Sequence, residues 1–257
     1  MDFVKMEGLG NDFIVVVGPA AISSGNVQKW CDRRFGIGAD GVLLATPLAG
    51  QRVAMDYWNA DGGKAEMCGN GLRCVAKLAV DRGWVDRAPL EIETAVGPLG
   101  AEVLDDGLVR ALMGHPKRGD VDSIDVAGVS VHPVSVGNPH AVLFVDDPFS
   151  APVTDLGPVI ERSEEFPDGT NVEFVKVESG SRIRMRIWER GVGETMASGT
   201  GATAAAFASA LYQGAQSPIE VLLPGGRLSV EIIDTEAWVT GPANYVFAGS
   251  IDGRGSV

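Results

Sequence analysis

The sequence predicts an α/β protein made of two similar halves, in each of which short strands surround one principal helix. Two observations support this fold class. Matching residues recur 130 positions apart, as Cys68 with Ser198 and Gly69 with Gly199. In both halves, short apolar and β-branched runs alternate with glycine-rich or acidic turns, which is typical of strands. We therefore expect one structural unit that occurs twice along the 257 residues.

The first half is predicted to contain a short helix and several strands around its principal helix. A strand ends in a turn at residues 8–12, and a β-branched run follows at 13–17. We expect a helix over residues 27–35 and a turn-rich segment at 59–63. The other strands of this half are predicted at residues 42–45, 53–58, 90–94, 99–104 and 109–113.

The principal helix of the first half is predicted to begin at Cys68. Apolar residues follow at a helical spacing, and Gly83 supplies a stop signal. Unpaired backbone N–H groups and the helix dipole favour negative charge at a helix N-terminus, so they lower a thiol's pKa and attract a carboxylate. Gly69 and Gly71 let a ligand approach the backbone closely. On its own, this motif is equally well explained as a structural cysteine beside a turn.

The second half repeats this arrangement. Gly137 and Asn138 precede an apolar run, as Gly10 and Asn11 do 127 positions earlier. A second principal helix is predicted over residues 202–212, again after two glycines. Further strands are predicted at residues 219–223, 228–233 and 238–240. Two helix N-termini of the same construction suggest that both serve one shared site.

Composition restricts the class of function. A net charge of −13 without a run of Lys or Arg argues against a nucleic acid or an anionic membrane as the partner. No basic segment precedes a long apolar one, so we expect neither a signal peptide nor a membrane span. Three cysteines without a C-x-x-C pair indicate a reducing cytoplasm, and three scattered histidines predict no metal site.

Six motifs resemble those of the diaminopimelate epimerase family and follow one another in that family's order. They are G-L-G-N-D-F at 8–13, N-A-D-G at 59–62, M-C-G-N-G-x-R at 67–73, G-N-P-H at 137–140, F-P-D-G-x-N-V-E-F at 166–174 and W-E-R-G-x-G-E-T at 188–195. With further matching residues after position 195, the resemblance extends over residues 8–226, which is nearly the whole chain.

The resemblance implies an isomerase that needs no cofactor. Two pseudo-symmetric lobes are expected, each a strongly curved, mostly antiparallel sheet around a central helix, with the active site in the cleft between them. The lobes would be residues 1–114, joined by 244–257, and residues 115–243. The family inverts one α-carbon of LL-diaminopimelate to give the meso form on the route to lysine and peptidoglycan. Diaminopimelate is thus the expected partner, with a homodimer as one expected assembly.

The resemblance also implies roles for individual residues. Two cysteines act in this family as bases on opposite faces of the α-carbon, and Cys68 matches one of them. His140 and Glu189 match positions that adjust how the bases hold their protons. The groups that hold the reacting carboxylate match Gly69, Asn70, Gly199 and Thr200. The groups that hold the substrate's amino and carboxyl groups match Asn11, Asn59, Asn138, Asn171, Glu189 and Arg190. Taken singly, an Asn beside a glycine is usually a turn residue, and a lone His is usually a hydrogen-bonded loop residue.

The chain departs from the family pattern where Ser198 takes the place of the second catalytic cysteine. The surroundings of a thiol can bring it to thiolate at neutral pH, whereas a serine hydroxyl acts only when an adjacent base takes its proton. Glu189 is the nearby base that the motif offers. Family membership and the activity of this chain are therefore separate questions.

Three functions are consistent with these residues. The first is diaminopimelate epimerase, with Ser198 either an introduced substitution or a natural variant of reduced or altered activity. The second is a related enzyme for another amino acid, in the proline racemase and hydroxyproline dehydratase branch of this fold, although Asn70 and Arg190 favour the first. The third is a binding protein that keeps the pocket without turnover. Binding and turnover of LL- and meso-diaminopimelate, measured together, distinguish the three.

Overall fold

The structure, a computed structural model, describes residues 1–251 and divides into two compact units. The first unit consists of Met1–Ala111 and the segment from Gly241 onward, and the second consists of Leu112–Thr240. Residues 252–257 of the predicted segment 244–257 lie outside the described residues.

The first unit is a sheet with two helices. The helices are α1 (Ser24–Cys31) and α2 (Gly69–Asp81). The strands are β1 (Asp2–Gly8), β2 (Asn11–Val17), β3 (Gly41–Pro47), β4 (Arg52–Asn59), β5 (Lys64–Ala65), β6 (Leu90–Thr94), β7 (Gly97–Val103), β8 (Val109–Gly114), which ends just past the boundary of the unit, and β19 (Asn244–Ser250).

Most strand pairs of this unit are antiparallel. β1 pairs in this way with β19 and β2, β3 with β4, and β7 with β6 and β8. The pairs β2 with β3 and β4 with β6 are parallel. Parallel neighbours need a crossover connection, and α1 and α2 provide these two crossovers.

The second unit has the same arrangement of helices and parallel strand pairs as the first, with the short strand β9 (Lys117–Arg118) in addition. Its helices are α3 (Val153–Glu161) and α4 (Gly199–Gln213). Its strands are β9 (Lys117–Arg118), β10 (Ile124–Val126), β11 (Val129–Ser135), β12 (Pro139–Phe144), β13 (Asn171–Ser179), β14 (Arg182–Glu189), β15 (Gly193–Thr195), β16 (Ile219–Leu223), β17 (Gly226–Ile233) and β18 (Glu236–Gly241). The pairs β12 with β13 and β14 with β16 are again parallel, and α3 and α4 form the crossovers.

One helix lies against most strands of each unit. α2 packs on β1, β2, β3, β4, β6 and β7, and α4 packs on the equivalent strands β11, β12, β13, β14, β16 and β17. Both helices bury nearly their whole length, α4 mainly through alanines that allow the strands to come close. The predicted fold class of two pseudo-symmetric lobes, each a mostly antiparallel sheet around a central helix, is confirmed.

The prediction of a helix over residues 27–35 is wrong in its bounds, because α1 begins earlier and ends at Cys31. Ser23 caps the helix by accepting a hydrogen bond from the backbone N–H of Asn26. At the other end, Asp32 Oδ1 accepts from the backbone N–H groups of Arg34 and Phe35, and this local turn stops the helix.

The second principal helix starts at Gly199, three residues before the predicted 202, and ends beside Gly214, whose φ of 70° is the left-handed conformation typical of a helix end. The sequence analysis names no element at α3, where Gly157 and Pro158 both disfavour helix. Gly157 lies against Trp188, and a Cβ at this glycine would be 2.7 Å from Trp188 Cβ. Tertiary packing therefore overrides local preference in α3.

We expect Gly157→Ala to lower the free energy of unfolding by about 1–3 kcal/mol, because the added methyl group displaces Trp188. Gly25→Ala is the matched control, since a Cβ at Gly25 in α1 meets nothing within 4 Å. This control substitution should raise the free energy of unfolding by roughly 0.4–1 kcal/mol. Urea denaturation of both variants measures the two values. Equal effects of the two substitutions would contradict the packing argument.

Candidate active site

Cys68 occupies the N-cap position of α2. Its backbone is extended, with φ −143° and ψ 113°, and its Sγ accepts a hydrogen bond from the backbone N–H of Gly71 at 3.4 Å. A Cβ at Gly71 would lie 3.0 Å from Leu43 Cδ2, so glycine lets the helix start pack closely against β3. Cys68 is partly exposed, whereas Cys31 and Cys74 are buried.

The side chain of Asn11 has a fixed orientation beside Cys68. Its Nδ2 donates to Asp40 Oδ2 at 2.8 Å. Its Oδ1 consequently faces Cys68 Sγ at 3.7 Å and accepts from Asn70 Nδ2 at 3.2 Å. The structure therefore brings three of the predicted site residues of the first unit together around the start of α2.

A charged cluster holds Asp40 in place. Arg33 forms ion pairs with Asp40 and with Asp12, at 2.6 and 2.7 Å, and Lys5 pairs with Asp12 at 2.6 Å. Burial raises the pKa of Asp12, but hydrogen bonds to Arg33 and Lys5 and their charges outweigh burial and lower this pKa to about 2. Asp12 is thus ionised at neutral pH, and the cluster orients Asn11 through Asp40.

Arg73 lies fully buried under the start of α2, and the sequence analysis gave it no role. Its guanidinium donates to Asn70 Oδ1 at 2.8 Å, to the carbonyl of Pro242 at 3.2 Å and to the carbonyl of Gly69 at 3.4 Å. Arg73 stands three residues before the buried Ala76 in the apolar stripe of the helix, and this position is the signal that predicts its burial.

Asn59 lies at the exposed end of β4. Its backbone N–H donates to the carbonyl of Gly63 at 2.9 Å, within the turn that leads to β5. The structure does not join its side chain by a described hydrogen bond to Cys68 or Asn11. Gly69 is the buried first residue of α2. The substrate roles of both residues remain predictions.

Ser198 occupies the N-cap position of α4, as Cys68 does in α2. Its φ of −139° and ψ of 129° are close to those of Cys68, and its Oγ accepts from the backbone N–H of Gly201 at 3.3 Å. A Cβ at Gly201 would lie 2.4 Å from Ile187 Cδ1, so this helix start also depends on glycine. The serine hydroxyl thus takes the same structural place as the thiol. Gly199 and the half-buried Thr200 follow as the first residues of α4.

Asn171 joins two segments that carry predicted site residues. Its Oδ1 accepts from the backbone N–H of Arg190 at 3.0 Å, and its Nδ2 donates to the carbonyl of Pro139 at 2.9 Å. The exposed guanidinium of Arg190 donates to the carbonyl of Asp168 at 3.1 Å. Arg190 also borders an open cavity of about 530 Å³ within this unit. Asn171 is therefore a positioning residue for the loop of Arg190.

Two further side chains hold this loop, and neither was predicted from the sequence. Glu161 accepts from Trp188 Nε1 at 2.6 Å and from the backbone N–H of Gly191 at 2.9 Å. Thr195 donates its hydroxyl to Glu189 Oε1 at 2.5 Å. Glu161 is separated from its partners by about thirty residues, so sequence spacing gives no signal for it.

His140 is fully buried between two oxygen atoms. Its Nδ1 lies 2.6 Å from Glu173 Oε1, and its Nε2 lies 3.0 Å from Asn138 Oδ1. Burial raises the pKa of Glu173, and the charge of His140 together with this hydrogen bond opposes the rise. The sequence analysis named His140 and Asn138 but not Glu173.

Comparison with known proteins identifies the family. A sequence profile described as "Diaminopimelate epimerase" matches residues 3–119 and 133–246 of this chain. The chain belongs to the diaminopimelate epimerase family. Members of this family are isomerases, and the predicted family and enzyme class are confirmed.

Individual relatives agree with this assignment along their whole length. The diaminopimelate epimerase of Moorella thermoacetica is 42% identical, over 97% of this chain and 98% of that protein. That of Alkalilimnicola ehrlichii is 44% identical, over 97% and 98%. Among solved structures, a phenazine biosynthesis protein of the PhzF family from Bacillus anthracis has a TM-score of 0.76 at 16% identity and covers 98% of both chains. That structural likeness shows the fold.

Two further observations on residues 1–251 concern metal ions and membranes. No three His, Cys, Asp or Glu side chains of this described part come together in a way that suits a metal ion. None of the helices in the same part is both long and apolar enough to cross a membrane.

Cys68 is expected to be the thiol that reacts with iodoacetamide in the folded protein at pH 8. Burial raises the pKa of Cys31 to about 11 and that of Cys74 to about 12, so both stay protonated at this pH. Peptide mass spectrometry after brief labelling should find the adduct on Cys68, and Cys68→Ala should abolish it. Unfolding in urea should expose all three thiols. Labelling of Cys31 or Cys74 before Cys68 would contradict this account.

Proposed function

We propose that this protein interconverts LL- and meso-diaminopimelate on the route to lysine and peptidoglycan, with Cys68 and Ser198 at its two base positions. The observation that supports this proposal is the repeated helix N-cap. In a family of isomerases, each unit presents one side chain at the start of its principal helix, and the cap bond is 3.4 Å for Cys68 and 3.3 Å for Ser198. Two bases on opposite faces of a carbon are what an inversion requires.

The reaction begins with removal of the α-proton. We propose no cofactor as electron sink, so the negative charge that develops must be stabilised by the field of the site. Backbone N–H groups at the starts of α2 and α4 suit this task because they point toward the N-cap, where the dipole favours negative charge. In the proposed reaction, Gly69, Asn70, Gly199 and Thr200 hold the α-carboxylate there.

The remaining predicted residues would hold the charged groups of the substrate. Diaminopimelate is a double zwitterion, and a guanidinium such as that of Arg190 can bind a carboxylate with two parallel hydrogen bonds. Glu189 would accept from a substrate ammonium group or adjust the proton of the base beside it. The amides assigned to the substrate's amino and carboxyl groups in this proposal are those of Asn11, Asn59, Asn138 and Asn171.

Ser198 limits the proposed reaction. Cys68 as a thiolate can take the α-proton on its own face and return a proton there. On the opposite face the hydroxyl of Ser198 is too weak an acid and too poor a base unless another group activates it. We therefore propose that proton exchange at one face is preserved in this chain while inversion is slow.

The proposal also includes the oligomeric state of the protein and the cellular compartment in which it acts. β19 exposes the apolar side chains of Tyr245, Val246 and Phe247, at 43%, 55% and 48%, which supports a homodimer formed through this strand. Three free thiols and a biosynthetic role support the cytoplasm.

Proton exchange in deuterated water tests this proposal. We expect deuterium to enter the α-carbon of one stereoisomer with retention of configuration, because Cys68 exchanges its proton with solvent and returns deuterium to the same face. Ser198→Cys should increase inversion by roughly 10²- to 10⁴-fold, since it restores the second acid and base. NMR of the α-carbon and chiral chromatography measure exchange and inversion separately. Cys68→Ala provides the control without exchange.

Each other outcome has a defined meaning. If the chain as written inverts diaminopimelate as fast as its Ser198→Cys variant, serine or another group is an adequate second base and the one-sided proposal is wrong. If neither protein exchanges nor inverts but both bind diaminopimelate, the chain is a binding protein. If neither binds it, the substrate is another amino acid.

Substrate capture gives a second prediction. Arg190→Ala should weaken diaminopimelate binding by roughly 1.5–3 kcal/mol, because a hydrogen bond to a charged group is lost. Arg184→Ala is the matched control, since Arg184 lies on the strand that leads to Arg190 and pairs with Glu178 at 2.6 Å. Isothermal titration calorimetry should show a loss for Arg190→Ala alone. Unchanged affinity of that variant would exclude Arg190 from the binding site.

A further inference from the structure

His140 and Glu173 form a buried acid–imidazole pair on neighbouring parallel strands. β12 and β13 place His140 opposite Asn171, and Glu173 follows two residues further on the same face of β13. Both side chains have 0% exposure, and 2.6 Å separates Nδ1 from Oε1. Asn171, the cross-strand partner of His140, already binds Pro139 and Arg190. The pair therefore lies at the centre of the segments that carry the proposed site residues of this unit.

The hydrogen bonds of the pair determine where a proton resides. A carboxylate accepts but does not donate, so with Glu173 ionised the atom that bonds to Glu173 Oε1 at this distance is a protonated Nδ1. Asn138 Oδ1 also only accepts, so its 3.0 Å contact with Nε2 is a hydrogen bond when Nε2 is protonated as well, and the ring then has lost no proton. Loss of the Nε2 proton requires the amide of Asn138 to turn its Nδ2 toward the ring. Glu173 Oε2 is buried and has no hydrogen-bond partner among the described residues. Among the described residues, His140 is therefore the side-chain hydrogen-bond partner of the Glu173 carboxylate.

The start of α4 lies close to the same carboxylate. A Cβ at Gly201 would be 3.1 Å from Glu173 Oε1, so glycine at this position admits the carboxylate beneath the helix N-terminus. The helix dipole favours a negative charge there. The titratable groups that act on Glu173 are His140 from β12 and Glu189 from β14, and these have opposite effects. Glu173 is thus fixed by three elements of the unit.

We propose that Glu173 is a positioning residue that holds a proton on Nδ1 of His140, so that Nε2, beside Asn138, is the ring nitrogen that gains and loses a proton during the reaction. This inference rests on the proposed function, in which His140 adjusts how the bases hold their protons. It assigns that task to Nε2 of His140 and identifies Glu173 as the group that selects this nitrogen. When Nε2 accepts a proton, an N–H bond forms as the bond between that hydrogen and the exchanging base or a water molecule breaks, and the reverse occurs when Nε2 returns the proton.

A structural ion pair is the competing explanation. Buried pairs often add little to stability, although removal of one partner is destabilising. A purely structural pair would change stability when Glu173 is replaced, and its hydrogen bond would also keep a proton on Nδ1, but it would leave the rate and the pH profile of the reaction unchanged. The tautomer therefore tests the hydrogen bond itself, and the rate and pH profile test its role in the reaction.

The first experiment uses the unaltered protein labelled with ¹⁵N-histidine. Three histidines are present, and His140→Asn identifies the signals of the ring in question. Above the pH at which the ring becomes neutral, we expect a protonated Nδ1 and an unprotonated Nε2. A neutral ring that carries its proton on Nε2 overturns the proposal directly, before any change is made to Glu173.

The second experiment compares Glu173→Gln and Glu173→Leu with the control Glu178→Gln. Glu178 lies on the same strand but pairs with Arg184. Both Glu173 variants should populate the tautomer protonated on Nε2, and the control should retain the original pattern. Should one variant fail to fold, the other and the unaltered protein still decide. Retention of the original tautomer in every folded Glu173 variant overturns the proposal.

The third experiment concerns rate and is done in the Ser198→Cys background. Glu173→Gln should lower the turnover number by about 10- to 100-fold with little change in KM, as is common when an orienting partner of a histidine is lost. Its pH profile should also change, whereas that of Glu178→Gln should not. If the tautomer changes as expected but no protein acts on diaminopimelate, the proposed function is wrong and the assignment of Glu173 stands. An unchanged rate and pH profile in a protein that is active overturns the assignment.

Discussion

One hydrogen bond, from the third residue of a helix to the side chain just before that helix, determines where the sulfur of Cys68 and the hydroxyl oxygen of Ser198 lie in the two units. The bond constrains Cys68 and Ser198 to an extended backbone and turns their side chains toward the free N–H groups of the helix start. The glycine that donates it lies where a Cβ would meet Leu43 or Ile187. The sheet around each helix then matters chiefly because it fixes this start: the parallel pair that the helix connects, β4 with β6 or β14 with β16, sets the direction from which the helix enters.

Buried charges surround these helix starts and do so differently in the two units. In the first unit the buried guanidinium of Arg73 and the ion cluster around Asp12 hold two amides beside the thiol. In the second unit carboxylates dominate, with Glu161 holding a loop and Glu173 holding a histidine. The two units thus share a backbone arrangement but differ in the polar side chains of their interiors. A duplicated fold provides two similar helix N-termini, and the buried side chains beneath them give these two sites different electrostatic environments.

Much of this structure was predictable because the decisive signals are local. Glycines and the spacing of apolar residues located α2 and its partner, and the repeat of 130 residues predicted two units of one kind. Other features depend on distant contacts. Helix α3 forms despite Gly157 and Pro158 because it packs on Trp188, and the pairing of His140 with Glu173 exists only after two strands become neighbours. Arg73 was visible as a charge in an apolar stripe, yet its partners were not. Sequence patterns report which face is buried, whereas they rarely report which polar groups meet there.

At the N-cap position of Ser198, selection for a stable fold and selection for catalytic activity have different effects. Oxygen and sulfur both accept the cap bond in this protein, at 3.3 Å in one unit and 3.4 Å in the other, so the helix forms in the same way with either atom. We therefore expect replacement of serine by cysteine at this position to change folding stability little and to change mainly the acid–base properties of the side chain. Selection for a stable fold cannot maintain a thiol there; only a demand for turnover can. A protein of this architecture can in consequence lose half of its chemistry by drift while every measure of its folding stays the same.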